Sequence, residues 1–98
     1  MTITRIGEMK AQKGQEDVLH AFFKTVVMPA LDASAGMQSY HLLQNQADPT
    51  RFIFIELWDS IEAHRASVKN IDPRQIENVM KLLADTPRGE YYSDNGVG

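Results

Sequence analysis

The stretch FIFIELW, residues 52–58, constrains the fold of this chain more than any other feature of its sequence. Side chains alternate between the two faces of a strand. The even-numbered positions carry three aromatic residues and Glu56, and the odd-numbered positions carry Ile53, Ile55 and Leu57. The pattern therefore predicts a strand that is apolar on both faces, and both faces should be covered in the folded protein.

Three other segments are predicted to be strands. TITRIGEMKA opens the chain, MQSYHLLQNQ follows Gly36, and a short last strand lies within TPRGEYYS. The turn signal Asp48-Pro49 separates the second strand from FIFIELW. The chain thus offers four strands for one sheet.

A helix is predicted between the first two strands, over about residues 15–31, because apolar side chains recur there at helical spacing. Pro29 cannot donate the hydrogen bond to the carbonyl four residues earlier. We therefore expect this helix to kink or to end early near Val27.

Two more helices are predicted after the third strand. One begins at Asp59 or Ser60, and Glu62 stands at capping-box spacing from Asp59. The other begins at Asp72-Pro73, where a capping residue precedes a proline at the first helical position.

The resulting order, β-α-β-β-α-α-β, predicts an α+β protein with the ferredoxin-like split βαβ arrangement. Its four-stranded antiparallel sheet would carry helices on one face only. The 98 residues suit a single domain. We assign residues 1–93 to that domain and expect 94–98 to form a flexible C-terminal tail.

The two-sided apolar strand also predicts a partner. Helices cover one sheet face, and leaving the other in water would forgo several kcal/mol at about 25 cal/mol per Å² of apolar surface. A second copy packed face to face around a two-fold axis is the simplest cover. The alternative is a strand shielded by the loops of its own chain.

Charge and composition argue against several classes of partner. The net charge is −3, and the lysines and arginines are scattered singly, which argues against nucleic acid or an anionic membrane. No signal pattern opens the chain and no apolar run approaches ~20 residues, so a cytoplasmic location is expected.

Metal binding is not expected either. Cysteine is absent, which excludes disulfides, thiolate catalysis and cysteine-bound zinc. The three histidines, His20, His41 and His64, lack the spacing of a metal motif. The sequence therefore predicts neither metal nor cofactor.

Several motifs resemble one family. KAQKG, GMQSYHLL, DPTRFIFIELWDS and EAHRAS occur here in the order seen in the antibiotic biosynthesis monooxygenase family. The resemblance runs from Ile3 to about Leu83. The resemblance implies a dimeric α+β barrel built from ferredoxin-like subunits. The family is similar to cofactor-independent quinol and polyketide monooxygenases.

Two positions depart from the family pattern. Many members carry the helix histidine about nine residues after the tryptophan, whereas this chain has Ser67 there and His64 one turn earlier. The haem-degrading branch has an asparagine on strand one, whereas this chain has Gly7 and Glu8. Haem degradation is therefore disfavoured.

His64 is the main catalytic candidate. Ile61, His64, Val68 and Ile71 share one helical stripe, so the imidazole should face inward. An imidazole with an ordinary pKa near ~6.5 is a natural general base at neutral pH. A hydrogen-bonded structural histidine is the competing interpretation.

The strand supplies further candidates. Trp58, at the strand end, could form a wall of the catalytic pocket and take part in catalysis. It could equally fill the core. Glu56 shares a face with the aromatic residues and must be paired or protonated if buried. Arg5 on the neighbouring first strand is a candidate partner for Glu56.

The remaining candidates would bind a substrate. Phe54 would form a wall with Trp58, Phe22 or Phe23 from the first helix would close the cavity, and Tyr40 could donate a hydrogen bond. These residues support a hypothesis of cofactor-independent monooxygenation of a small quinol or polyphenolic aromatic. The alternatives are a dimeric module that binds an aromatic metabolite without turnover, and an isomerase or lyase that uses His64.

Overall fold

A four-stranded antiparallel sheet forms the base of the protein, which a computed structural model describes over residues 2–98. The strands are β1 (Ile3–Lys10), β2 (Met37–Gln44), β3 (Arg51–Trp58) and β4 (Arg88–Tyr92), and their order in the sheet is β2-β3-β1-β4. This order confirms the predicted ferredoxin-like α+β fold.

The helices pack against one face of this sheet. They are α1 (Glu16–Phe22), a π-helical segment (Phe23–Val27), α2 (Met28–Asp32), α3 (Ile61–Ser67) with a 3₁₀ turn (Val68–Asn70), and α4 (Pro73–Met80). The even-numbered side chains of β3 face these helices and are buried, from Phe52 to Trp58. We call this the inner face of the sheet and the opposite side the outer face.

The sequence predicted that the first helical segment would kink or end early near Val27. The segment does not end there but changes geometry and runs on to Asp32. The backbone changes to π geometry over Phe23–Val27 and returns to α geometry at Met28. Pro29 therefore lies in the first turn of a new α-helical stretch, where its missing N–H is tolerated.

The two later helices begin at capping residues. Ser60, not Asp59, caps α3, because the Ser60 hydroxyl accepts from the Ala63 amide at 3.1 Å. The Asp59 carboxylate accepts instead from the Gln38 side chain at 2.8 Å. Asp72 caps α4 as predicted and accepts from the amide of Arg74 at 2.9 Å.

A dry aromatic core lies under the first helical segment. Phe23 meets Phe52 and Phe54 edge to face, with ring centroids 5.3 and 5.1 Å apart. Leu19 and Phe23 are fully buried. Offset and edge-to-face aromatic pairs stabilise a core beyond their area burial.

The central strand of the outer face is apolar and partly open to solvent. Ile53, Ile55 and Leu57 of β3 are half-buried there, and Leu43 and Tyr92 are each 46% exposed. The predicted two-sided strand is therefore confirmed, and the helices cover only one of its sides.

Residues 93–98 contain no helix or strand, and the boundary of the domain at 93 stays a prediction. Across residues 2–98, no helix has the length and apolar character needed to cross a bilayer.

Candidate functional site

A cavity of about 280 Å³ lies between the helices and the inner face of the sheet. Its walls are mostly apolar, and the polar residues among them are Arg5, Glu56, His64, Ser67 and Arg88. The apolar walls come from both helical layers and from the sheet: Met9, Phe22, Val27, Ala30, Leu31, Phe54, Val68, Ile71, Ile76, Val79, Met80 and Leu83.

Two glycines in the wall of this cavity leave room for the side chain of Arg5. Gly7 of β1 lies directly opposite Gly89 of β4, and both line the cavity. On β3 the same row across the sheet holds Phe54. Because the row has a large side chain on β3 and none on β1 or β4, the Arg5 guanidinium can lie close over these last two strands at the wall of the cavity.

The π-helical segment directs side chains into the cavity. In a regular α-helix Phe22 and Val27 would point about 140° apart, at 100° per residue. One inserted residue in a π segment reduces this angle to about 40° and also brings Ala30 to the same side. All three side chains line the cavity, while Phe23 turns into the core.

A row of polar residues crosses the sheet beside the cavity. Tyr91 of β4 lies opposite Arg5 of β1, which lies opposite Glu56 of β3. His64 of α3 lies above this row, and its Nδ1 and the Tyr91 Oη are 2.6 Å apart in a hydrogen bond. The sheet register thus gathers four side chains that are distant in the sequence.

His64 is held between two aromatic rings. Its ring meets Trp58 and Tyr91 edge to face, at centroid distances of 5.5 and 5.4 Å. Burial, followed by the positive charges of Arg5 and Arg65, lowers the pKa of His64 from 6.5 to about 4. The imidazole is therefore neutral at pH 7 and is a weaker base than the sequence suggested.

Glu56 is buried and bonded to its neighbour on the strand. Its Oε1 accepts a hydrogen bond from the Trp58 Nε1 at 2.8 Å. Burial raises the pKa of Glu56, whereas this hydrogen bond and the charge of Arg5 act in the opposite direction. The predicted pairing of strands one and three is confirmed, since Arg5 and Glu56 are cross-strand neighbours.

Four predicted site residues line the cavity: Phe22, Phe54, Glu56 and His64. Their roles as catalytic and substrate-binding groups stay predictions. Their side chains were expected to face inward, from period-2 spacing in the strand and helical spacing in the helices. In the structure they do face inward, into the same cavity.

Three predicted site residues lie elsewhere. Trp58 is fully buried behind His64 and does not reach the cavity as a wall, because α3 packs over the end of β3. Phe23 is fully buried in the core, where its ring packs against Phe52 and Phe54. The Tyr40 hydroxyl donates to Asp32 Oδ1 at 2.7 Å. This hydrogen bond is the main reason that the pKa of Tyr40 is raised.

Sequence reasoning missed Tyr91 and the role of α4 in the cavity wall. Tyr91 lies in a short segment without clear alternation, and its meeting with His64 depends on the sheet order. The stripe Ile76, Val79, Met80 and Leu83 was visible as a helical pattern, but the sequence did not indicate what it faced.

Within residues 2–98, no group of three or more His, Cys, Asp or Glu side chains is placed to hold a metal ion. The expectation that neither metal nor cofactor takes part stays a prediction.

The chain belongs to the antibiotic biosynthesis monooxygenase family, whose model matches residues 2–76. A putative antibiotic biosynthesis monooxygenase from Chloroflexus aurantiacus is 29% identical, with all of both chains covered and a TM-score of 0.71. No curated protein matches the sequence significantly.

More distant structures share the fold. A putative antibiotic biosynthesis monooxygenase from Nitrosomonas europaea has a TM-score of 0.82 at 15% identity, covering 96% of this chain and 90% of its own. SnoaB, a cofactor-independent oxygenase from Streptomyces nogalater, has a TM-score of 0.81 at 13% identity, covering 98% and 95%. At these identities the likeness supports the fold alone.

Proposed function

We propose that the protein is a cofactor-independent monooxygenase that acts on a small quinol or polyphenolic aromatic. The observation that carries this proposal is the cavity, whose apolar walls end at a neutral imidazole and a guanidinium. Typical ligand pockets measure roughly 300–1,000 Å³, so a cavity of about 280 Å³ suits one or two rings.

The reaction needs no external reductant. A quinol and O₂ give a hydroxylated quinone and water: one oxygen atom enters the ring and the other leaves as water. The four electrons that reduce O₂ come from the ring itself. The protein must accept a phenol proton, exclude water and stabilise negative charge on the substrate oxygen.

His64 is assigned the proton transfer. If the Tyr91 oxygen accepts from Nδ1–H, the other ring nitrogen, Nε2, carries the lone pair that takes the proton. A conjugate acid with a pKa of about 4 is easily deprotonated again, so His64 acts as a relay more than as a strong base. Stabilisation of the phenolate must then come from a positive neighbour, and Arg5 lines the same cavity.

Oxygen uptake tests this proposal. The purified protein should consume one O₂ for each hydroxylated quinone formed from a panel of mono- and bicyclic quinols. His64→Gln should lower the rate by about 10²-fold or more, the usual contribution of a positioned acid–base group. His20→Gln, at an exposed position on α1, is the matched control and should keep the full rate.

Two results would contradict the monooxygenase. One is a wild-type protein that consumes no oxygen above the spontaneous rate with any quinol of the panel. The other is a His64→Gln variant that is folded and as active as the wild type.

A second candidate is a binding module that holds an aromatic metabolite without turnover. The low pKa of His64 favours it, because a weak base contributes little to deprotonating a phenol. Saturable quinol binding by calorimetry without oxygen uptake would support the binding module. Formation of many product molecules per protein molecule would exclude it.

We also propose that two copies associate through the outer face of the sheet. The support is the half-buried apolar row of β3 beside the exposed Leu43 and Tyr92. Ile55→Glu should convert a dimer to a monomer in sedimentation, because it places a charge at the centre of that face. Val18→Glu, on a helix surface, should leave the dimer intact, and a wild type that is monomeric at micromolar concentration would refute the association.

A further inference from the structure

The Arg5 guanidinium occupies a cradle formed by two glycines. A Cβ atom at Gly7 would lie 2.7 Å from Arg5 Nη1, and one at Gly89 would overlap Nη2. Any side chain at either position would therefore displace the guanidinium.

The backbone does not require glycine at these two positions. The residues whose φ is positive are Gly14, Gly36 and Gly96, so Gly7 and Gly89 have strand geometry that other residues adopt. Glycine within a strand lowers its stability and often marks a close approach by another group. Here the approaching group is the side chain of Arg5, which precedes Gly7 by two residues and therefore lies on the same face of β1.

The Arg5 guanidinium lines the cavity beside an acidic neighbour. Glu56 lies opposite Arg5, but its Oε1 takes the hydrogen bond of the Trp58 indole. Arg5 lines the cavity together with Glu56 and His64. A guanidinium offers five donors in a planar fork that fits an oxyanion.

We propose that Arg5, held over Gly7 and Gly89, binds an anionic oxygen on the aromatic ligand, either a phenolate or a ring carboxylate. The inference rests on the proposed use of this cavity for an aromatic molecule. It adds an electrostatic requirement: the ligand enters or reacts as an anion. A phenolate beside a guanidinium in an apolar cavity is favoured over the neutral phenol.

The test uses 4-nitrophenol, whose phenolate absorbs visible light, under anaerobic conditions. At saturating wild-type protein, the bound probe should ionise at a pH at least about one unit below that of the free probe, which is a tenfold preference for the phenolate. Arg5→Met should abolish this shift, and Arg5→Lys should keep part of it because a lysine retains the charge without the fork.

Two further variants distinguish direct contact between Arg5 and the ligand from the effect of any nearby positive charge. Arg65→Met removes a positive charge near His64 from an exposed position outside the cavity and should keep the shift. Gly89→Ala keeps the charge of Arg5 but forces the guanidinium to move, and should reduce the shift.

Benzoate and benzamide distinguish the two sources of negative charge. If the ligand carries a ring carboxylate, benzoate should bind the wild type at least about tenfold more tightly than benzamide, and Arg5→Met should remove the difference. If only the phenolate is recognised, the two should bind alike while 4-nitrophenol still shows its shift. Either pattern supports the role of Arg5.

The inference is overturned if the shift of 4-nitrophenol and the preference for benzoate both survive in Arg5→Met. It is equally overturned if the wild type shows neither effect, or binds none of the probes at millimolar concentration. Oxygen uptake is not involved, so the monooxygenase can fail while Arg5 still selects anions. Conversely, an active enzyme without this selectivity would refute the inference alone.

Discussion

The layer between helices and sheet has two halves that differ in how they are filled. In the packed half, Leu19, Phe23 and Phe52 fill the space between α1 and the β2–β3 side. In the open half, a cavity lies above β1 and β4, and Gly7 and Gly89 in its wall are covered only by the Arg5 side chain. One sheet thus supports both a dry core and a ligand-sized space, and the difference lies in side-chain volume along its inner face.

The halves also differ in charge. The packed half consists of hydrocarbon and aromatic groups, whereas the open half contains Arg5, Glu56, His64 and Tyr91. Stability should therefore depend mainly on the first half, and ligand binding and pH sensitivity mainly on the second. The following experiments test this division.

The largest expected effect is on the packed half. Phe23→Ala should lower the free energy of unfolding by about 3–5 kcal/mol, because a fully buried ring leaves a void in a close-packed core. Phe22→Ala is the matched control on the same helix. Its ring already borders the cavity, so the loss should be smaller, and urea denaturation of both variants measures the difference. Equal losses would remove the distinction between the halves.

Filling the open half should affect binding more than stability. Gly7→Val places a branched side chain where the Arg5 guanidinium lies and narrows the cavity. Affinity for 4-nitrophenolate should fall at least about tenfold, equivalent to about 1.4 kcal/mol. Ile6→Val, which points to the outer face, is the control and should bind normally. Unchanged affinity in Gly7→Val would place the ligand elsewhere.

The pH dependence of stability should come from the open half. The folded pKa of His64, about 4, is below its ordinary 6.5. Between these values the unfolded chain binds more protons, so stability rises with pH, is full above 6.5 and is lost as pH falls toward 4. After discounting for partial exposure, about 1–2 kcal/mol should be lost across this window.

His64→Gln isolates this contribution in chemical denaturation between pH 4 and 7. Arg5, Arg65, Tyr91 and Glu56 are the titratable or charged groups around the imidazole. The raised pKa of Glu56 acts with the opposite sign, but it is present in both proteins. The wild type should lose more stability toward pH 4 than the variant. Parallel pH curves would show that His64 titrates normally in the folded chain.

The smallest expected effect comes from one hydroxyl. Tyr91→Phe keeps the ring against His64 and removes the hydrogen bond to Nδ1, which should cost about 0.5–1.5 kcal/mol of stability. Tyr92→Phe is the control, since its hydroxyl contacts Glu90 on the exposed outer side and should change stability by less than about 0.5 kcal/mol. If the two variants were equally stable, the His64–Tyr91 bond would contribute nothing measurable.

Local sequence patterns predicted much of the fold. The apolar run FIFIELW, in which only Glu56 is polar, defined β3 and both of its apolar faces, and Asp72-Pro73 marked the start of α4. Helical spacing placed His64 on an inward stripe. Such patterns succeed because period-2 and helical repeats reflect burial of one face of one element.

Other features were beyond local patterns. The sequence predicted a kink or an early end of the first helix near Val27, whereas the structure has a π segment over Phe23–Val27, a further α-helical stretch to Asp32, and Phe23 in the core. The sequence left Trp58 either as a pocket wall or as a core residue, and α3 buries the indole completely. In both cases packing between elements decided which way a side chain points.

By itself, then, the sequence determined the element order, the two-sided strand and the inward stripe of α3. Only the tertiary structure decided where the cavity lies and which charges face it. Gly7 and Gly89 are far apart along the chain and meet through the register of β1 with β4. The pKa of His64 likewise depends on burial and on Arg5 across the fold. Side-chain volume and charge act through space, and the sheet register sets those distances.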